Sequence, residues 1–258
     1  MNATDTNTNQ LNLTLFIGGT GKTGRRVVER LRSAKRLLRV GSRSALPAFD
    51  WNHEPGWDSC LERVSAVYLS YFPDLAMPGA TDAICAFVNR AAQHHVERIV
   101  LLSGRGEEEA QACERIVQES GLDWTIVRAS WFHQNFSEGA FVDMVQAGQI
   151  ALPVGKVAEP FIDADDIADV SAELSRACNR EIALVPIPHD AFVDEVARSG
   201  APKEAVWMLN HLFATVLDGR NASLTDGIQR ALGRPPKDFA AYAREVAATG
   251  AWNEFAPA

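Results

Sequence analysis

The chain has 258 residues, 47% of them hydrophobic, enough for one full α/β domain with a smaller one appended. A net charge of −8 argues against a nucleic-acid binder that grips phosphate by bulk charge. No run reaches the roughly 18 apolar residues of a membrane span, and the polar start MNATDTNTNQLN lacks the basic and apolar regions of a signal peptide.

Residues 1–12 read as a disordered leader, and the whole as a cytoplasmic protein. Cys60, Cys85, Cys113 and Cys178 are scattered without CxxC spacing, which fits inert thiols in a reducing compartment. Leu13 to Ile17 (LTLFI) is short and apolar, a buried strand. Gly18 to Gly24 is a turn, and Thr23 to Ala34 places Val27, Val28 and Leu31 on one helical face. Strands follow at Leu37 to Val40, Val64 to Ser70, Arg98 to Leu102 and Trp124 to Val127. Helices are expected over Thr81 to Gln93 and Glu107 to Ser120, the latter ended by Gly121. Arg43 to Gly56, with Pro47 and Pro55, reads as loop with room for a short helix. This alternation predicts an α/β fold, a Rossmann-type doubly wound parallel sheet whose strands are covered on both faces.

After Arg128 the pattern changes. Ala129 to Phe136 is an aromatic-rich loop, Glu138 to Gln146 a helix, and Ala151 to Gly155 and Pro160 to Asp163 short extended pieces. Asp165 to Arg176 reads as a helix with an acidic first turn, and Ile182 to Ile187 as a strand. From His189 onward the text is helical. The expected organisation is a dinucleotide-binding domain over 13–180 and a small, mostly helical substrate region over 181–258, packed with 129–163.

The stretch GGTGKTG carries glycines at Gly18, Gly21 and Gly24. The first permits a sharp turn off the strand, the second lets backbone N–H groups approach a pyrophosphate, and the third lets the helix pack close. The helix N-terminus offers its orphan donors to the phosphates. Lys22–Thr23 invites a phosphate-loop reading, but GxxxxGK[ST] does not fit the spacing. Nineteen positions after Gly24, where an NAD binder places an acidic residue, stand Ser42, Arg43 and Ser44. A guanidinium among hydroxyls suits a 2′-phosphate, so NADP(H) is expected in preference to NAD(H).

Tyr68, Tyr71 and Tyr242 are the only tyrosines, and none is followed four residues later by lysine, so the YxxxK acid pair is absent. No GxSxG elbow and no metal-binding spacing appears. Ser70, Tyr71 and Phe72 end one strand and Ser103 another, and both loops are expected at the nicotinamide. The segment ASWFHQNFSEG brings Trp131, Phe132, His133 and Asn135 to the same carboxyl edge. Its Trp131 and Phe132, with Tyr71 and Phe72, suit a wall on which a flat substrate stacks, or its aromatics suit an anchor that packs the second domain onto the first, and its Asn135 or His133 suits a hydrogen bond to the acceptor.

GGTGKTG, SRS, RIVLLS, GLDWTIVR with WFHQNF, and PFIDADDIADV together resemble the NmrA-like atypical short-chain dehydrogenases, over most of residues 13–170. The resemblance implies dinucleotide contacts from Gly18, Thr20, Gly21, Lys22, Thr23 and Gly24, and a 2′-phosphate contact from Arg43. Ser70, Tyr71, Phe72 and Ser103 would border the nicotinamide ribose, and Phe132 and Asn135 the substrate. Relatives of that family include quinone and azo-compound reductases, ergot-alkaloid iminium reductases, and regulators that bind the dinucleotide without turnover. The expected activity is thus NADPH-dependent hydride transfer to a small quinone, imine, iminium or enone. The alternatives are an NADP(H) sensor acting on a protein partner, or a non-redox use of the scaffold. The chain departs from the family at Arg128–Ala129, where RP is common, and at Ala110, where histidine is common. Between the DDIA helix and the REI strand only Ser171 to Asn179 intervene, about two dozen residues fewer than the family pattern. An edge strand exposed by that loss would favour a homodimer.

Overall fold

The computed structural model describes residues 13–139, 141–154, 183–226, 229–230 and 233–252, and the chain divides into two compact units between Ala129 and Ser130. In the first, β1 (Leu13–Ile17) leads through the glycine turn to α1 (Lys22–Ser33) and β2 (Leu38–Gly41). A 3-10 turn (Glu54–Gly56) runs into α2 (Trp57–Leu61) before β3 (Val64–Leu69). Then come α3 (Ala80–Gln93), β4 (Arg98–Gly104), α4 (Glu108–Gln118) and β5 (Asp123–Ala129).

The five strands are parallel, in the order β2-β1-β3-β4-β5. Period-two alternation along β1 sends Leu15 and Ile17 to one face and Phe16 to the other. Leu15 and Ile17 join Val67, Leu69, Ile99 and Leu101 in a core shared with α3 and α4, through Ile84, Phe87, Val88, Cys113 and Val117. Phe16 and Tyr68 stack at 5.6 Å on the other face and pack with Val28 of α1. Burying a side chain such as Phe16 stabilises by about 1.5–3 kcal/mol. Succession turns one way from β1 to β2 and the other way to β3. Ligands of open α/β sheets bind beyond the carboxyl ends at such a reversal. Ile17 pairs with both Gly41 and Leu69, so the loops after β1, β2 and β3 leave the sheet at one level.

The second unit contains α5 (Asn135–Glu138), α6 (Val142–Gln146), β6 (Gln149–Leu152), β7 (Ala183–Pro186), α7 (His189–Arg198), α8 (Lys203–Thr215) and α9 (Phe239–Ala248). β6 and β7 form a parallel pair. Phe136, Phe141, Val145, Ile150, Phe192, Phe213 and Trp252 make its core. The Trp252 indole N–H donates to the Phe136 carbonyl at 2.8 Å, tying the end of the described chain to α5. Asp238 caps α9 by accepting from the Ala241 N–H at 2.9 Å.

Three expectations change. The helix expected over Glu138 to Gln146 is two short ones, because Gly139 takes an extended backbone between them. α4 closes at the Glu119 cap, and Gly121, with φ +78°, turns the chain two residues later. Among the described residues β5 lies at the edge of the sheet, and its Trp124 and Val127 stand about half exposed rather than covered. The leader, the pieces expected at Pro160 to Asp163 and Asp165 to Arg176, and the shortened stretch Ser171 to Asn179 lie outside the described residues.

Candidate functional site

The glycine loop is built by close approach. Gly18 has φ +74°, a conformation that L side chains rarely adopt, and a Cβ there would stand 2.9 Å from the Ser70 Cβ. A Cβ on Gly24 would stand 2.3 Å from the Gly18 carbonyl oxygen and 2.8 Å from the Gly19 Cα. That contact seats the first turn of α1 against the loop. Gly21 differs: its backbone is ordinary, and a Cβ there would meet only the Gly18 carbonyl oxygen, at 3.2 Å. The Gly21 N–H closes the turn onto that same carbonyl at 2.9 Å.

Gly21 caps α1 without a side chain, and no acidic residue occupies the first turn. Among the described residues no capping side chain and no carboxylate competes with an anion for the positive dipole end of this helix. Thr20 is exposed at the tip. The Tyr68 hydroxyl reaches Thr23 Oγ1 at 3.4 Å, and Arg26 donates to the Lys22 carbonyl at 2.6 Å. Beyond β2, the Ser42 carbonyl accepts from the Ala45 and Phe49 N–H groups, which fixes that loop, and the Ser42 and Ser44 hydroxyls lie 3.4 Å apart. Arg43 is exposed, and among the described residues it makes no ion pair or hydrogen bond. A dinucleotide fits this arrangement: a helix start without a capping side chain or acidic residue suits a pyrophosphate, and an exposed guanidinium stands on the neighbouring loop.

After β3, the Ser70 N–H continues the ladder to the Ile17 carbonyl at 3.2 Å. Tyr71 packs its ring 4.8 Å from Trp51, and burial pushes its hydroxyl pKa up. Phe72 projects into solvent, 74% exposed. Ser103, at the end of β4, is buried and donates to Glu114 Oε1 at 2.6 Å. Arg128 of β5 closes on the same carboxylate with Nε at 2.8 Å and a terminal nitrogen at 2.5 Å. Burial pushes Glu114 up, but the bonds from Arg128 and Ser103 outweigh it and hold the carboxyl below its ordinary range. Sequence reasoning gave Glu114 no role. The available signal was a carboxylate on the apolar stripe of Ala110, Cys113 and Val117.

The aromatic segment lies in the second unit. Trp131 stacks on Phe141 and meets Phe213 edge-on, so its ring belongs to that unit's core. His133 lies between Phe239 and Tyr242, each ring 5.2 Å away, and burial, with Lys237 nearby, pulls its pKa down. Phe132 is half-buried, and its carbonyl accepts from the Asn135 N–H at 2.9 Å where α5 begins. The Ser137 and Tyr242 hydroxyls meet at 2.5 Å. Tyr71, Phe72, Ser70 and Ser103 thus belong to the first unit, and Trp131, Phe132, His133 and Asn135 to the second.

Comparison with known proteins adds the following. The family described as NAD(P)H-binding matches residues 18–176. Over most of its length the chain is 26% identical to prestalk A differentiation protein A of Dictyostelium discoideum (90% of this chain, 91% of that one). It is 27% identical to agroclavine dehydrogenase of Claviceps fusiformis (88% and 95%) and 25% identical to NAD(P)H azoreductase of Xenophilus azovorans (91% and 98%). The azoreductase match runs over 283 positions, more than the 258 residues of the chain, so gaps fall in this chain. Among solved structures, triphenylmethane reductase of Citrobacter sp., complexed with NADP(H), shares the fold at a TM-score of 0.72 and 13% identity (92% and 99%).

Proposed function

This chain belongs to the NAD(P)H-binding family, and we propose that it transfers hydride from NADPH to a small conjugated acceptor: a quinone, an imine or iminium, or an enone. Relatives named as reductases and dehydrogenases are the company that the NmrA-like resemblance predicts. One observation carries the reading. At the reversal point of a parallel sheet, a helix start free of side-chain caps and acidic residues faces the same level as an exposed, uncommitted Arg43.

The bound nicotinamide supplies the hydride, and the chain supplies binding, orientation and exclusion of water. Gly18 to Gly24 would hold the pyrophosphate through backbone N–H groups, with Gly21 as the point of closest approach. Arg43 would take the 2′-phosphate in bidentate fashion, flanked by Ser42 and Ser44. Ser70, Tyr71 and Phe72 would border the nicotinamide. Ser103 would act there through its position, since its hydroxyl proton is engaged by Glu114. Asn135 and His133 remain the proposed groups for steadying charge on the acceptor. Burial keeps His133 neutral at pH 7, which suits a hydrogen bond and not a cation.

Tryptophan fluorescence titrations with NADPH and with NADH, followed by NADPH consumption over quinones, azo dyes and iminium compounds, test this. Saturation by NADPH well below NADH, with turnover of one class, is the expected result. Tight NADPH binding without consumption of any acceptor would overturn the reductase in favour of the sensor. Gly21→Val is the companion variant: it is expected to fold, because Gly21 needs no left-handed backbone, yet to lose both dinucleotides.

A further inference from the structure

Two carboxyl groups outside the glycine loop meet between the loops that follow β3 and β4. Asp74 stands just beyond Pro73 on the first. Glu107 ends the second, at the cap position of α4, yet it makes no side-chain capping bond. Its carboxyl turns back onto the end of β4, so that a Cβ on Gly104 would lie 2.1 Å from Oε1. Oε2 is buried and has no hydrogen-bond partner among the described residues, and the carboxyl is hydrogen-bonded to that of Asp74. Asp74 is itself fixed, its Oδ1 accepting from the Ala76 N–H at 2.9 Å.

An ionised carboxylate only accepts, so two of them in contact require a proton between them. The surroundings favour keeping it. Glu107 faces Asp74 from the β3 loop and Glu109 from α4, and burial together with those charges pushes it up to about 8. Cys113 of α4, facing Glu114 and Asp74, is pushed up to about 12, mainly by burial, and adds no charge at neutral pH. Tyr71, next to Cys113, is likewise raised, and Glu114 is taken up by Arg128 and Ser103.

We infer that Asp74 and Glu107 share one proton and that this bond is a positioning clasp, holding Ser70 to Pro73 beside Ser103 at the carboxyl edge of the sheet for the dinucleotide. The inference rests on the cofactor reading above for its consequence but not for the clasp itself. With the proton gone, two negative charges are left in contact and the two loops part. With a clasp that gives way near pH 8, one pH unit above that point leaves about a tenth of the molecules competent, so NADPH binds about tenfold more weakly.

The experiment measures NADPH affinity and, separately, cofactor-free melting from about pH 6 to pH 10 for the wild type, Glu107→Gln and Glu107→Ala. Gln resembles the protonated acid and donates to Asp74 at every pH. The expected result is an affinity that falls above pH 8 in the wild type, stays level in Glu107→Gln and is weak throughout in Glu107→Ala. Melting should show the same contrast between the wild type and Glu107→Gln. Superimposable pH curves for those two proteins, in melting and in affinity, overturn the shared proton. A melting contrast with identical affinity curves overturns the positioning role. Absence of NADPH binding in every protein overturns the cofactor reading, and the melting contrast then upholds or overturns the clasp alone.

Discussion

The two units use their singled-out residues in opposite ways. In the first, the elements around the glycine loop are locked by backbone contacts, while α1 starts without a capping side chain or an acidic residue and Arg43 and Phe72 stand exposed. In the second, the aromatic segment is spent on its own core. Trp131, His133 and Phe136 each pack against rings from α8 or α9, or against Phe141. A rigid frame presenting free donors is what preorganised binding needs. A segment whose rings are engaged in packing contributes first to stability, and to an acceptor only through groups at its margins.

The sharpest way to break this contrast is through the frame. Gly24→Val places a branched side chain against the Gly18 carbonyl and the Gly19 Cα, both backbone. The expected cost exceeds about 3 kcal/mol, with loss of dinucleotide binding, because backbone cannot step aside as a side chain end can. A urea midpoint equal to that of the wild type would show that the loop and α1 are not held as described. Next comes Arg128→Ala. It leaves Glu114, whose side chain is 2% exposed, with the Ser103 hydroxyl as its remaining hydrogen-bond partner among the described residues. Breaking a buried pair costs about 3–5 kcal/mol, and the lower end applies because the Arg128 side chain is half in water. The pair has a pH signature as well. Glu114 sits below its ordinary range, so its contribution is present at neutral pH and is lost as acid protonates it; Arg128→Ala should flatten the acid limb of the melting curve.

Arg43→Ala probes the free donors instead. NADPH should weaken by about 1.5–3 kcal/mol and NADH by far less, since only the former carries the phosphate that Arg43 would clasp. Stability should not change, because the side chain is exposed and unpaired among the described residues. Titration of both dinucleotides decides the matter: equal weakening would remove Arg43 from the 2′-phosphate.

What could be read from the sequence was what is local. The glycine spacing, the apolar run before it and the amphipathic helix after it occupy seventeen adjacent residues, Leu15 to Leu31, and they announce both the fold and the loop. The place of Arg43, two residues beyond β2, was legible for the same reason. The Ser103–Glu114–Arg128 network joins residues 11 and 14 positions apart through strand pairing, and the Asp74–Glu107 contact needs the register of β3 and β4 before it exists. Patterning says that WTIV is a strand, but only topology puts β5 at the edge of the sheet among the described residues. The aromatic segment was ambiguous because wall and anchor ask for the same residues, and only ring contacts tell which rings are engaged in the core.

The mildest test falls on that segment. His133 lies among the Phe239 and Tyr242 rings, and burial holds its pKa below the free imidazole value of 6.5. The folded state therefore binds its proton less readily than the unfolded chain. Stability from the neutral ring is complete above 6.5 and declines as the pH falls below it. His133→Phe keeps the aromatic contacts and removes the titration. Its melting temperature should match the wild type at pH 8 and fall less steeply toward pH 5, a modest difference read by thermal scans across about pH 5–8. Turnover of the same variant separates the two roles of the segment. If the imidazole steadies the acceptor, the rate falls while NADPH affinity holds; an unchanged rate would assign His133 wholly to the packing that distinguishes the second unit from the first.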